Sequence, residues 1–261
     1  MMSLTGTNRV AVVTGASAGI GYSTAIGLAR AGFRLAVGAR REDKLSALVD
    51  ELARITGEKP FAAPLDVTDK ASVDAFVQGV VEHYGQVNVL VNNAGKALGV
   101  DYIDERANEE DWEVMLDTNV LGLLRMTKRL VPYLVESGDG HIINLGSTAG
   151  HEAYAGGGVY CATKFAVRAI TGSLRQELLG KPVRITSIDP GMVETEFSVV
   201  RYHGDTSRAA QVYEGLRPLN SEDVADCIVF AATRPAHVNI DNMILKSIDQ
   251  AAAKRFARKG Q

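Results

Sequence analysis

Tyr160 and Lys164 stand four residues apart in Val159-Tyr160-Cys161-Ala162-Thr163-Lys164-Phe165, a stretch whose pattern reads as helix. Positions i and i+4 share a helix face, so phenol and ammonium can approach each other there. A cation beside a phenol favours the phenolate and lowers its pKa from about 10, which a tyrosine general base needs near neutral pH. Alone, such a spacing is as compatible with a half-buried tyrosine and a solvated lysine. Ser147 adds to it: this residue follows the apolar run His141–Leu145, thirteen residues before Tyr160. A short loop there lets hydroxyl and phenol meet one substrate oxygen. Asn119 falls inside a predicted helix, where asparagine has no intrinsic advantage. Solvent exposure explains it cheaply, and a buried hydrogen-bonding role is the alternative.

These groups need a partner in the reaction, and the N-terminal part offers a place for one. Val10-Ala11-Val12-Val13 reads as a buried strand and runs into Thr14-Gly15-Ala16-Ser17-Ala18-Gly19-Ile20-Gly21, which opens a helix. Glycines at Gly15, Gly19 and Gly21 permit a tight turn and a close approach of pyrophosphate, with the helix N-terminus favouring its charge. Gly15, Ser17, Ala18, Gly19, Ile20 and Gly21 are the expected contacts. The spacing differs from GxGxxG, and an ordinary strand-to-helix turn is the competing reading. After the second strand, Arg34–Gly38, an NAD site would carry an acidic side chain. Here Ala39 is followed by Arg40 and Arg41, whose guanidinium groups suit a ribose 2′-phosphate. A solvated cationic turn partnered by Glu42 and Asp43 is the alternative. The context points to NADP(H). Asp66-Val67 and Asn92-Asn93-Ala94-Gly95 end the third and fourth strands, and can supply an adenine acceptor and a backbone wall.

Elements alternate throughout. Strands Phe61–Leu65, Val87–Val91, His141–Leu145, Val183–Ile188 and Met243–Ile248 are separated by helical patterns. Those patterns include a long helix over Asp111–Val135, Val159–Leu179, and one through Thr233 with Ser221 as N-cap. The alternation implies right-handed βαβ crossovers in a parallel sheet covered on both faces. The expected fold is α/β, a doubly wound Rossmann-type sheet in three αβα layers. It forms a single domain over 1–261, with 195–220 as a substrate-binding lid and Lys254–Gln261 as a basic tail. Ligands of such sheets bind at the C-terminal strand ends, where most of these residues fall.

The chain of 261 residues is 46% hydrophobic and 23% charged, with a net charge of −3, which gives no reason to expect nucleic acid. There is no apolar run of membrane-spanning length, and Met1-Met2-Ser3-Leu4-Thr5-Gly6 lacks a signal-peptide pattern, so a cytoplasmic protein without a membrane partner is expected. Cys161 and Cys227 have no CxxC spacing, and His83, His141, His151, His203 and His237 show no HExxH, so no metal is expected. Leu145-Gly146-Ser147-Thr148-Ala149-Gly150 is not Gly-x-Ser-x-Gly, which argues against a hydrolase elbow.

With Gly15/Gly19/Gly21, Asn92–Gly95, Asn119, Ser147, Tyr160/Lys164 and Pro190-Gly191-Met192-Val193-Glu194-Thr195 in this order, residues 9–248 resemble a short-chain dehydrogenase/reductase. The resemblance implies a catalytic tetrad at Asn119, Ser147, Tyr160 and Lys164. It also implies nicotinamide contacts from Pro190, Gly191, the Val193 backbone and Thr195, ribose contacts from Tyr160 and Lys164, and commonly a homotetramer or homodimer. A narrower similarity, to NADP-dependent 3-hydroxy acid dehydrogenases, is carried by Glu194–Arg201 with His203-Gly204-Asp205, by Pro235–Ile240, by Lys96–Gly99 and by Glu110–Glu113. It implies that Arg40, Arg41, Asp66 and Val67 contact NADP. His151, Glu152 and Lys246–Gln261 depart from that branch.

The expected reaction is reversible hydride transfer at the C3 hydroxyl or carbonyl of a short 3-hydroxy acid. Ser147 and Tyr160 would meet the substrate oxygen, Arg201 is the candidate for its carboxylate, and Asn119 would support a water relay. Arg201 is equally readable as a surface or subunit-interface arginine. Two other functions stay open: reduction of another carbonyl, such as a ketone, sugar, acyl thioester or steroid, and dinucleotide sensing without turnover.

Overall fold

Short β-branched apolar runs, each followed by an amphipathic stretch, build the strands and helices that position the site. The computed structural model describes residues 8–104 and 107–259; the opening Met1–Gly6 and the end of the C-terminal stretch, Gly260-Gln261, lie outside the described residues. Seven strands form one parallel sheet: β1 (Val10–Thr14), β2 (Arg34–Ala39), β3 (Phe61–Pro64), β4 (Val89–Asn92), β5 (Gly140–Leu145), β6 (Val183–Pro190) and β7 (Asn242–Leu245). Their order is β3-β2-β1-β4-β5-β6-β7, so the winding reverses between β1 and β4 and leaves a crevice at their C-terminal ends. The doubly wound single sheet expected from the alternation is the fold observed.

Successive strand residues face opposite layers. Ala11 and Val13 of β1 pack in one layer with Leu28 of α1 (Gly19–Arg30), Leu48 and Leu52 of α2 (Glu42–Thr56), and Val224 and Ile228 of α9 (Ser221–Ala232). Val12 faces the other layer, with Phe76 of α3 (Lys70–Tyr84) and Met126, Leu130 and Leu134 of α5 (Leu123–Glu136). Between α5 and α6 (Gly158–Glu177) lies β5, followed by a single 3₁₀ turn, Thr148–Gly150. Among the described residues no helix is long and apolar enough to cross a membrane.

Several boundaries differ from the sequence reading, each for a local reason. The continuous helix expected over Asp111–Val135 is broken. An α-helix α4 (Glu109–Leu116) gives way to a π segment, Asp117–Gly122, before α5 begins. The wider π turn swings Thr118, Asn119 and Gly122 into the core, and Gly122 is needed because a Cβ would lie 2.6 Å from a Val67 methyl. α9 is capped by Asn220, not Ser221. The Asn220 side chain accepts from the Asp223 amide while the Asn220 amide donates to the Asp223 carboxylate, a closed capping box.

The segment between Thr195 and Ser221 holds two short helices, α7 (Phe197–Arg201) and α8 (Thr206–Gln211), and is tied at both ends. The Leu219 amide donates to the Met192 carbonyl, and the Tyr213 hydroxyl donates to the Val193 carbonyl. The basic tail is instead a folded hairpin of β8 (Gln250–Ala252) and β9 (Arg255–Phe256). Its Ala253 amide donates to Glu152, and the Lys254 ammonium sits 4.9 Å from the Tyr154 ring centre.

Candidate active site

Local packing explains the shape of the loop after β1. Gly15 and Gly19 adopt φ of +66° and +55°, which side chains with a Cβ rarely accept. At Gly21 a Cβ would lie 2.4 Å from the Asn93 amide nitrogen and 2.4 Å from the Gly15 carbonyl oxygen. Asn93 fastens the loop by donating to the carbonyls of Thr14 and Gly15. Ala18, at the start of α1, offers no side-chain cap, so the first amides of that helix face the crevice without an internal acceptor. A diphosphate is the natural partner for such an end.

A cleft of about 470 Å³ follows from this. Gly15, Ser17, Ala18, Gly19 and Ile20 line one side, Arg40, Arg41, Asp66 and Val67 one end, and Asn93, Ala94 and Gly95 the floor. Ser147, Tyr160, Lys164, Pro190, Gly191, Val193 and Thr195 form the far end. Four expected residues sit elsewhere. Gly21 lies beneath the loop against Asn93 rather than at the cleft surface. Asn92 is buried and donates to Thr127 and Asn144, so it braces β4 instead of meeting a ligand. Asn119 is buried behind the floor: its side-chain oxygen accepts from the Lys96 amide at 2.8 Å, and its nitrogen donates to the Lys96 carbonyl and to Thr163. Of the two readings of Asn119, the buried hydrogen-bonding one is the arrangement present. Arg201 lines an adjoining pocket with Tyr160.

Arg41 does not pair with Glu42 or Asp43. Its guanidinium bonds Glu196 at 2.8 Å and Ser17 at 3.2 and 3.3 Å, and Lys44 joins the same glutamate at 2.5 Å. Glu196 is held below the usual carboxylate range by those two hydrogen bonds. Asp66 likewise titrates low, with burial opposed by its bonds from the Thr68 hydroxyl and amide and by the nearby Arg40 and Lys96 cations.

At the far end, α6 carries both Tyr160 and Lys164 on its buried face. The ammonium does not press on the phenol as expected from spacing. It donates to the Leu145 carbonyl at 2.7 Å and lies 5.9 Å from the ring centre. Burial brings the lysine pKa down to about 8, opposed by the Asp189 carboxylate. Burial also raises the Tyr160 pKa, helped by Tyr154; the hydrogen bond with Ser147 and the Arg201 charge pull the other way. The expected depression of the phenol is thus reversed, because removal from water outweighs the Arg201 charge and the hydrogen bond with Ser147. Tyr160 also meets Phe197 edge to face, ring centres 5.8 Å apart.

Arg201 is anchored by three oxygens. Its Nε donates to the Gly99 carbonyl at 3.2 Å, and its terminal nitrogens to the Tyr154 hydroxyl at 3.0 Å and the Gly156 carbonyl at 3.3 Å. The guanidinium carbon stands 5.6 Å from the Tyr160 ring centre. Among the described residues no carboxylate pairs with it, and no group of His, Cys, Asp and Glu could hold a metal ion.

Glu196, Tyr154, Phe197 and Asp189 carry no pattern that singles them out in the sequence, since their partners lie far away along the chain. A helix-spaced Tyr-Lys pair advertises itself, whereas a partnership such as Arg41 with Glu196 does not.

Residues 9–205 match the family model described as short chain dehydrogenase. The chain belongs to that family. An uncharacterized oxidoreductase of Mycobacterium tuberculosis is 49% identical over 95% of this chain and 95% of the relative. An NADP-dependent 3-hydroxy acid dehydrogenase of Salmonella typhi is 43% identical over 94% of this chain and 97% of its own length. Among solved structures, the closed form of a serine dehydrogenase complexed with NADP+ is 40% identical with a TM-score of 0.89, covering 96% of this chain and all of that one.

The buried lysine has a measurable consequence. Lys164 holds its proton less tightly folded, at about 8, than unfolded, at 10.5, so the buried charge costs stability in full below pH 8. That cost fades as the pH rises toward 10.5. Lys164→Met removes the charge and keeps much of the length, and should raise Tm by roughly 2–4 °C at pH 7. In paired melts the advantage should shrink between pH 8 and 10. A variant that melts below wild type at pH 7 would contradict this account.

Proposed function

We propose that this chain is an NADP-dependent oxidoreductase that moves a hydride between nicotinamide and C3 of a short 3-hydroxy acid, of the serine or allo-threonine type. One observation carries the reading: a single cleft holds a glycine loop and an arginine at one end, and Ser147, Tyr160 and Lys164 at the other. The loop geometry, the uncapped start of α1 and the cations at the Arg40 end fit a dinucleotide with a 2′-phosphate. The cofactor supplies the hydride acceptor in oxidation and the donor in reduction. Gly15–Ile20 would take its pyrophosphate, Asp66 and Val67 its adenine, Arg40 its 2′-phosphate, and Pro190, Gly191, Val193 and Thr195 the nicotinamide end.

The protein groups then divide the proton chemistry. Ser147, which lines the cleft with Tyr160 and whose hydroxyl donates only weakly, at 3.4 Å, to the Pro190 carbonyl, would hold the substrate oxygen and polarise a carbonyl. Tyr160 takes the hydroxyl proton in oxidation and returns it in reduction. A phenol raised by burial is a ready donor in the reductive direction; for oxidation it depends on the cations Arg201 and Lys164 to hold the phenolate. Lys164, fixed on the Leu145 carbonyl, also faces the cleft where ribose hydroxyls would lie. Asn119 would serve a water relay by holding the π segment against Lys96 and α6. Arg201, with no carboxylate partner among the described residues and beside Tyr160, would take the substrate carboxylate, with 195–220 acting as the lid that carries it.

Exposed Leu116, Leu121, Leu124 and Phe165 on α4, the π segment, α5 and α6 are apolar surface that a second copy of the chain would cover, in keeping with a homotetramer or homodimer. Two unpaired cysteines suit a reducing, cytoplasmic setting.

Reduction of NADP+ and NAD+ should be compared with L-serine, L-allo-threonine, 3-hydroxyisobutyrate and 3-hydroxybutyrate as substrates. The reading expects turnover with NADP+ on at least one acid, and a loss on the order of 10²–10⁴ in Tyr160→Phe. Turnover only with ketones or acyl thioesters would move the substrate elsewhere, and NADP(H) binding without any turnover would leave a sensor. Arg201→Ala should raise KM for the acids about tenfold or more while leaving NADP+ affinity intact; an unchanged KM removes it from the substrate site. Light scattering at micromolar concentration should give a mass above one chain, and a monomer would leave the apolar strip unexplained.

A further inference from the structure

Lys96 follows the Asn92–Gly95 turn and has had no role so far. Its backbone is clamped on both sides by Asn119, whose side-chain oxygen accepts from the Lys96 amide at 2.8 Å and whose side-chain nitrogen donates to the Lys96 carbonyl at 2.8 Å. The Cα therefore cannot drift, and the side chain projects into the cleft that Arg40 and Asp66 also line. Its ammonium lies near both of them. Burial lowers its pKa first, Arg40 lowers it further, and Asp66 offsets this only in part. Like charges brought together and partly desolvated repel each other unless an anion sits between them.

The counter-charges at this end are already committed or too few. Arg41, the residue expected from sequence to share a 2′-phosphate with Arg40, spends its guanidinium on Glu196 and Ser17. Asp66 accepts two bonds from Thr68 on one oxygen. Among the described residues no ion pair closes on Arg40 or Lys96. Among the described residues, the cations left open to a ligand at this end are thus Arg40 from the loop after β2 and Lys96 from the turn after β4, two separate walls of the cleft.

We propose that Lys96, with Arg40, binds the 2′-phosphate of NADP(H) and so helps set the preference over NAD(H). The inference rests on the cofactor reading given above. A phosphate dianion between an ammonium and a guanidinium gains charge-assisted hydrogen bonds from both and relieves their repulsion. A ribose 2′-hydroxyl lacks that charge and leaves the repulsion in place. Lys96 is then a specificity residue that touches the cofactor and takes no part in proton transfer.

Equilibrium binding of NADPH and NADH to the purified protein, followed by the fluorescence of the bound dinucleotide, tests this without turnover. Wild type should bind NADPH more tightly; if it does not, the cofactor reading itself fails. Given that preference, Lys96→Met should weaken NADPH about tenfold or more. NADH should change little, which also shows that the cleft is folded. Lys96→Arg should restore most of the NADPH affinity. Equal weakening of both dinucleotides would place Lys96 on the shared part of the cofactor, or on Asp66 and the adenine, and overturn the proposal. An unchanged NADPH affinity would overturn it as well.

Discussion

A lysine kept nearly out of water at the end of a parallel sheet sets the terms for the rest of this molecule. Lys164 gives up hydration on α6, and its recovered interactions are few: one hydrogen bond to Leu145 and the charge of Asp189. Asp189 is itself buried, and its carboxylate accepts from Ser187, Asn242 and His151 at 2.5 Å each. Those donors come from β6, β7 and the turn after Ser147, so the loop bearing the serine is stitched to the carboxylate that supports the lysine. Gly146 is required between them, since a Cβ there would collide with the Asp189 oxygen at 1.8 Å. The outer strand β7 is therefore part of the site's support through Asn242, although it contributes nothing to the cleft lining.

The two ends of the cleft handle positive charge differently. At the Tyr160 end the cations are held on neutral oxygens: Lys164 on one carbonyl, Arg201 on two carbonyls and a phenol. Neutral acceptors fix position and leave the charge available. At the other end, Arg41 and Lys44 share the single carboxylate of Glu196, which arrives from just beyond Thr195. This ion pair ties the loop after β2 to the segment leading into α7, and its exposure makes it worth little in energy. Its effect is on geometry: it fixes Arg41 on Glu196 and leaves Arg40 and Lys96, among the described residues, as the open cations at this end.

The doubly wound parallel sheet and the placement of Tyr160 and Lys164 on one helix face were legible because both rest on short-range pattern. Apolar runs bounded by turns mark strands, and alternation with helices dictates parallel crossovers. Tyr160 and Lys164 were visible as an i, i+4 pair. What escaped the sequence depends on distant partners or on small departures from regular helix. The π segment has no composition signal, yet it turns Asn119 inward and makes it a brace for Lys96. Asn92 looked like a ligand contact, but its polar side chain serves Thr127 and Asn144 inside the sheet. The sign of the Tyr160 shift also lay beyond spacing, because spacing measures proximity of charge and says nothing of lost water.

On the proposed function, Arg201 would couple substrate capture to proton transfer. The same guanidinium that stands free of carboxylates is one of the two influences drawing the Tyr160 pKa down, the Ser147 hydrogen bond being the other. An acid substrate whose carboxylate pairs with Arg201 cancels part of that influence, and the phenol then holds its proton more firmly. For reduction of a 3-oxo acid this is helpful, since Tyr160 must arrive as a donor. For oxidation of a 3-hydroxy acid it would be a handicap, and Lys164 would then have to supply the missing charge, which it could do only while protonated. With the lysine pKa brought down to about 8, the ammonium is retained at neutral pH and lost just above it. Asp189 is what keeps that pKa from falling further, so on the proposed mechanism the buried carboxylate beneath the lysine would bear on the direction of the reaction as well as on the charge state of the lysine.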